Sequence, residues 1–196
     1  MAPSLKPLVR ASHLKEDLEA FRVLGPRAEA RARDRLKPES VRAIDEASRV
    51  EFLPVALKAE LAGAVFAEAG EEGGRSWARQ AVLLSLQGFY RPLMAAVLAV
   101  TNPTPTMILK LSFPRGWLAT YRGCGEFTVE EPVPGQTRLV LRGVPPALRT
   151  IAYLSALCGT LEAVWEVSRY AGEVELERWS PDDGEAAWLM SWRRKG

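Results

Sequence analysis

The last seventy residues most constrain this fold, because they hold two alternating apolar–polar ribbons on either side of one long helical pattern. "EFTVEE" alternates Phe127 and Val129 against charge, "PVPGQ" is a turn, and "TRLVLRG" supplies a second strand. "EVELERW" and "EAAWLMSW" make a second pair around Ser-Pro-Asp-Asp-Gly, a turn sequence. Between the pairs, "PALRTIAYLSALCGTLEAVWEVSRYAG" keeps Leu148, Ile151, Leu154, Leu157, Leu161, Val164 and Trp165 at helical spacing, and Gly172 is expected to stop it. Hairpin, helix, hairpin demands an antiparallel sheet with a helix laid across it. This predicts an α+β domain and excludes a doubly wound parallel sheet. "AAWLMSW" is apolar on both faces, so its strand belongs in the middle of the sheet or under cover on both sides.

The front half reads as helices. "HLKEDLEAFRVLG" places Leu14, Leu18, Phe21 and Leu24 on one face, with Gly25 as its end. "PRAEARARDRLK" is polar on nearly all sides, a solvated turn of helix or a linker, and "PESVRAIDEAS" follows with Val41 and Ile44 inward. "LPVALKAELAGAVFAEAG" is amphipathic through Leu57, Leu61 and Val65 and is expected to close at Gly70. The loop "EEGGR" and an N-cap at Ser76 then lead into the apolar helix 81–100. That segment approaches the length of a membrane span, but Arg91 in its middle costs about 2.5–3.5 kcal/mol on insertion scales, and Gln87, Gly88 and Pro92 weaken it further. It reads as a helix buried in protein, bent near Gly88 and Pro92, and no membrane span is expected. "TNPTPT" (101–106) is the clearest break, and "MILKLSFPRGWLATYRG" carries one more short helix. The expected organisation is a helical extension over 1–48 and an α+β domain over 49–196.

The chemistry is written mostly in negatives. The single histidine, His13, rules out a histidine-based metal cluster, and two cysteines 34 positions apart make neither a zinc site nor a disulfide framework. With no leader-like apolar start, the chain reads as cytoplasmic. Consecutive Glu130 and Glu131 face opposite ways on a strand, and Asp182 and Asp183 serve a turn, so no acid–base couple stands out. "RGCGEF" lacks the lysine and the strand-to-helix setting of a phosphate loop. The basic run "RAEARARDRLK" has no interleaved aromatic to stack a base, so no nucleic-acid partner is expected. Cys158 fits a buried small hydrophobe. Cys124, between glycines and near Arg122, is the one candidate reactive thiol, and a thiol-dependent enzyme would rest on it alone.

From about residue 50 to 192 the chain resembles an uncharacterised bacterial paralogous family related to the 4-vinyl reductase domain, the haem-NO-binding domain and the TRAPP-type trafficking subunits. The residues that carry the likeness are "LLSLQGFYRPLMAAVL", "FPRGWLATYRGCGEFTVEE" and "LVLRG…CGTLEAVWEVSRYAGEVELERW…AAWLMSW". The resemblance implies a helical lobe on a twisted antiparallel sheet, and a site that binds small molecules, lipid chains or partner proteins. The haem-NO-binding relatives carry a histidine iron ligand and a Tyr-x-Ser-x-Arg motif for the haem carboxylates. Here the only histidine lies outside the matching stretch, and "YLSAL" (Tyr153 to Leu157) has leucine where the arginine belongs. No haem and no other cofactor is therefore expected.

The resulting expectation is a non-enzymatic sensor or adaptor domain for a small apolar molecule or a partner protein. Its candidate lining is Phe89, Tyr90, Trp117, Tyr121, Trp165, Trp188, Met190 and Trp192. The alternative is a structural, dimeric interaction module in which the same aromatics are all core. The stripe Ala152, Ser155, Ala156, Gly159 and Ala163 would then be its homodimer face.

Overall fold

The computed structural model describes residues 6–86 and 103–195. The expectations for Phe89 and Tyr90, and for the bend at Gly88 and Pro92, lie outside the described residues. Among the described residues, no helix is long and apolar enough to cross a membrane.

The C-terminal half folds as its periodicities require. Strands Glu126–Glu130, Gln136–Arg142, Tyr170–Trp179 and Glu185–Arg194 form one antiparallel sheet. With the three short strands that precede them, Leu8–Arg10, Phe52–Pro54 and Tyr121–Arg122, numbered β1 to β3, these are β4 to β7, in the order β4-β5-β7-β6. Strand β7, apolar on both faces, is central: Leu139 and Leu176 both pair with Trp188. A β-bulge after Leu176 lets Arg178 pair with Ala187 and stay exposed. The crossing helix runs Ile151–Glu162, capped by the Thr150 hydroxyl on the Tyr153 amide, and a short helix Val164–Val167 follows. It ends earlier than expected, because Gly172 is a strand residue. Glycine is required there because a Cβ would lie 2.0 Å from the Ser191 carbonyl oxygen across the ladder.

The front half holds helices α1 (Ala11–Ala20), α2 (Pro26–Asp34), α3 (Pro38–Glu46) and α4 (Ala56–Ser85), with a 3₁₀ turn at Phe21–Leu24. Helix α5 (Pro105–Thr120) is longer than the short helix expected and tolerates Pro114 inside it; the crossing helix is α6 and its short successor α7. Gly70 does break the helical geometry, with φ 63° and ψ −161°, a backbone that L side chains rarely adopt. "EEGGR" is nonetheless helical and Ser76 sits inside α4 rather than capping a new helix. The basic run is neutralised locally: Arg31 and Arg35 both bond Glu68, and Arg33 bonds Glu29.

The extension expected over 1–48 is no extension. Val9, Leu14 and Phe21 belong to the same buried cluster as Leu139, Leu154 and Trp188. The residues responsible are three strands too short to show alternation. β1 (Leu8–Arg10) pairs antiparallel with β2 (Phe52–Pro54) and with β3 (Tyr121–Arg122). This small sheet joins the front of the chain to the segment just before the large sheet.

The small-residue stripe of α6 is covered inside the chain, which corrects its reading as a dimer face. Ala152, Ser155, Ala156, Gly159 and Ala163 are all buried. Gly159 meets the α4 backbone so closely that a Cβ there would fall 1.9 Å from the Arg75 carbonyl oxygen. Small side chains are what such a helix crossing needs.

Candidate functional site

The small sheet determines where a site forms. α1 starts directly after β1, and the carbonyls of Glu51 and Arg49 accept its first amides, Ala11 and Ser12. α4 starts two residues after β2, and the Val55 amide bonds the Pro7 carbonyl. The first turns of the two helices are thereby brought beside β3. His13 from α1, Lys58 from α4 and Tyr121 from β3 meet at the edge of one cavity of about 480 Å³. That volume falls in the range of small-molecule pockets.

Most of the wall is apolar: Val82 and Leu86 from the end of α4, Leu109, Phe113 and Trp117 from α5, and Leu161 and Val164 from α6 and α7. Trp117 stacks on Tyr121 at 4.0 Å and 23°, and its indole N–H donates to the Gly125 carbonyl at 3.0 Å, which fixes that wall. Polar groups gather where the small sheet placed them. Lys58 Nζ donates to both carboxylate oxygens of Asp17 at 2.7 Å and lies 4.5 Å above the Trp77 ring. The Trp77 N–H donates to the Asp17 backbone carbonyl. Glu16, which also lines the cavity, accepts from Arg49 at 2.8 Å. Its carboxyl is raised above the usual range, mainly by burial, with Arg49 opposing.

His13 is half-buried and lines the cavity. Its ring meets Tyr121 edge-on at 5.8 Å. Among the described residues its nitrogens have no hydrogen-bond partner. Burial lowers its pKa to about 4; Asp17 partly offsets this and Lys58 adds to it. The imidazole is neutral at physiological pH, offering one donor and one acceptor to the cavity. Because the folded value lies below the unfolded one, the unfolded chain takes up this proton first, and stability falls as pH drops from about 6.5 towards 4. Between pH 7.5 and 5 the wild type should lose about 2 kcal/mol more than His13→Leu, read from urea unfolding at each pH. Equal losses would contradict the half-buried, neutral ring.

Of the expected lining, Trp117 and Tyr121 face the cavity, whereas Trp165, Trp188, Met190 and Trp192 are absent from its wall. Trp188 and Met190 are core, and the Trp188 indole donates to the Leu154 carbonyl at 3.1 Å. Half-buried Trp192 donates to Thr137 Oγ1 and packs edge-on against Tyr170. Trp165 is half-buried on α7, its N–H buried without a partner among the described residues. The reactive-thiol reading of Cys124 is also corrected. The thiol is buried, contacts the Leu8 and Arg122 carbonyls, and is pushed up to about 11 by burial. The Arg122 guanidinium, expected to favour the thiolate, lies instead over the Phe52 ring at 3.8 Å. The residues that sequence reasoning missed are His13, Asp17 and Lys58. Asp17 was the readable signal: a carboxylate one position from Leu18, inside the apolar stripe Leu14–Leu18–Phe21, has to be paired when that face is buried.

The architecture is an α+β fold similar to that of H-NOX (haem-NO-binding) domains. An Fe(II) unliganded H-NOX protein from K. algicida superposes with a TM-score of 0.63 at 12% identity, covering 95% of this chain and 97% of that one. An oxygen-binding H-NOX domain related to soluble guanylate cyclases, in its oxygen complex, gives a TM-score of 0.60 at 11% identity, covering 95% of each chain. No family model matches the chain, and no curated protein matches it in sequence. The likeness is one of fold.

Haem can be tested against the residues present. His13 does reach the cavity and is neutral, as an iron ligand must be. The carboxylates of a haem are not matched. Among the described residues the only cation in the wall is Lys58, held by both oxygens of Asp17, and Glu16 adds a negative charge. A buried carboxylate without a partner is costly, so this donor set does not fit haem. Among the described residues, no group of three or more His, Cys, Asp or Glu could hold a metal ion.

Proposed function

We propose that this chain is a non-enzymatic sensor domain that works without haem, its cavity taking a small, largely apolar molecule. The observation that carries the reading is the 480 Å³ cavity itself, walled mostly by apolar side chains from α4, α5, α6 and α7, with Ser12, His13, Glu16 and Lys58 among its polar lining. The fold supports it as well, since the similar H-NOX structures include an oxygen-binding domain. Among the described residues of the wall, no hydrogen bond joins a nucleophile to a base: Lys58 is engaged with Asp17, and Ser85 and Ser112 donate to carbonyls of their own helices.

The test is calorimetric titration with 4-ethyltoluene, a neutral probe that the wall should accept. One-to-one saturable binding is expected. Leu161→Trp, which places an indole in the cavity, should abolish it while leaving the far-ultraviolet circular dichroism unchanged. No binding to the wild type, or equal binding to the folded Leu161→Trp variant, would overturn the reading.

A further inference from the structure

We infer that the cavity selects an uncharged ligand bearing one hydroxyl or carbonyl group, and that His13 is the residue that binds that group. This rests on the reading of the cavity as a ligand site and specifies what the ligand must carry. Three observations lead to it.

First, the polar end of the cavity holds no unbalanced charge. Asp17 is matched by Lys58, with both oxygens at 2.7 Å from Nζ, and Glu16 by Arg49 at 2.8 Å. An anionic ligand would face Glu16 and would have to take Lys58 from Asp17. A cationic one would compete with two cations already in place. Either exchange leaves a charge in a poorly solvated setting, which is costly. Second, among the described residues the charged and indole groups nearby are occupied and the imidazole is not; the hydroxyls of Ser12, Thr120 and Thr160 also line the cavity. The Trp117 indole donates to Gly125 and the Trp77 indole to Asp17, and the Cys124 sulfur contacts two backbone carbonyls. Among the described residues, the His13 imidazole has no partner, although it is half-buried and lines the cavity. Third, its environment keeps that ring in the neutral form, so one nitrogen accepts and the other donates. A hydroxyl can satisfy either nitrogen and a carbonyl can satisfy the N–H. A purely hydrocarbon ligand would leave both unpaired, and an unpaired buried polar group is what protein interiors avoid.

The experiment uses three probes of one shape: 4-ethylphenol, 4-ethyltoluene and 4-ethylbenzoate, titrated into the full chain by calorimetry. Because the chain has one histidine, ¹⁵N-histidine labelling reports the two His13 ring nitrogens with no assignment problem. The phenol is expected to shift a ring-nitrogen resonance and the toluene to leave both in place. In His13→Leu the phenol should bind about tenfold more weakly, while toluene binding stays within about twofold. The benzoate should bind worst. If toluene and phenol both bind but the ring nitrogens do not respond, or if His13→Leu leaves the phenol unaffected, the role of His13 is refuted while the cavity reading stands. Tightest binding by the benzoate refutes the uncharged class. Binding by none of the three overturns the cavity reading, and this inference with it. The labelling arm uses wild-type protein, so a His13→Leu chain that failed to fold would still leave a decisive result.

Discussion

Lys58→Met is expected to cost about 3–5 kcal/mol of folding stability, the usual consequence of breaking a buried ion pair by removing one partner. The carboxylate of Asp17 is fully buried, and its two oxygens share the single ammonium of Lys58. Without that ammonium a charge remains in the interior with nothing opposite it. The loss is a large share of the 5–15 kcal/mol that holds an ordinary domain together. The double variant Asp17→Leu/Lys58→Met should recover most of it, because replacing both members by apolar groups removes the desolvation cost along with the attraction. Urea unfolding of the wild type and both variants measures this directly. A Lys58→Met protein within about 1 kcal/mol of wild type would mean that water reaches Asp17 and that the pair is not interior.

Trp188→Ala should be comparably damaging, at about 3–5 kcal/mol. The indole is fully buried at the centre of the large sheet, between Leu139 and Leu176 on the neighbouring strands, and its N–H reaches the Leu154 carbonyl of α6. Trp188→Phe keeps much of the packing and loses chiefly that hydrogen bond, worth about 1 kcal/mol. The two variants together separate volume from polarity. If Trp188→Ala unfolds no earlier than Trp188→Phe in denaturant, the sheet and α6 are not packed through this side chain. Binding of 4-ethyltoluene should persist in Trp188→Phe, because Trp188 is not part of the cavity wall.

The C-terminal half was legible because each element there repeats its signal several times. β7 shows its central place by being apolar on both faces, and α6 keeps its period over three turns. The polar end of the cavity was not legible, because it depends on β1, β2 and β3. Strands of two or three residues carry no period, and their pairing joins Val9 to Leu53 and to Tyr121, partners 44 and 112 positions away. His13 therefore looked remote from the region of resemblance, although it packs against that region. The aromatic candidates divide for a related reason. Composition marks Trp117 and Trp188 alike as large apolar side chains, and only the direction of α5 against that of β7 makes one a wall and the other core. Cys124 failed as a reactive thiol because adjacency in sequence to Arg122 did not put the charge beside the sulfur.

Gly70 has a further effect on how α4 can be read and altered. Before it, the buried positions are Lys58, Leu61, Ala62, Ala64 and Val65; after it they are Gly74, Trp77, Ala78 and Ala81. On one straight helix Lys58 and Trp77, nineteen positions apart, would lie about 28 Å from each other, yet Lys58 Nζ sits 4.5 Å above the Trp77 ring. The single residue of positive φ thus lets the chain double back, so that Lys58 from the first part and Trp77 from the second both bond Asp17 of α1. A sequence change that keeps phase within either part is tolerable on its own terms. Gly70→Ala would strain the turn that brings Lys58 and Trp77 together, because an L side chain rarely adopts this backbone.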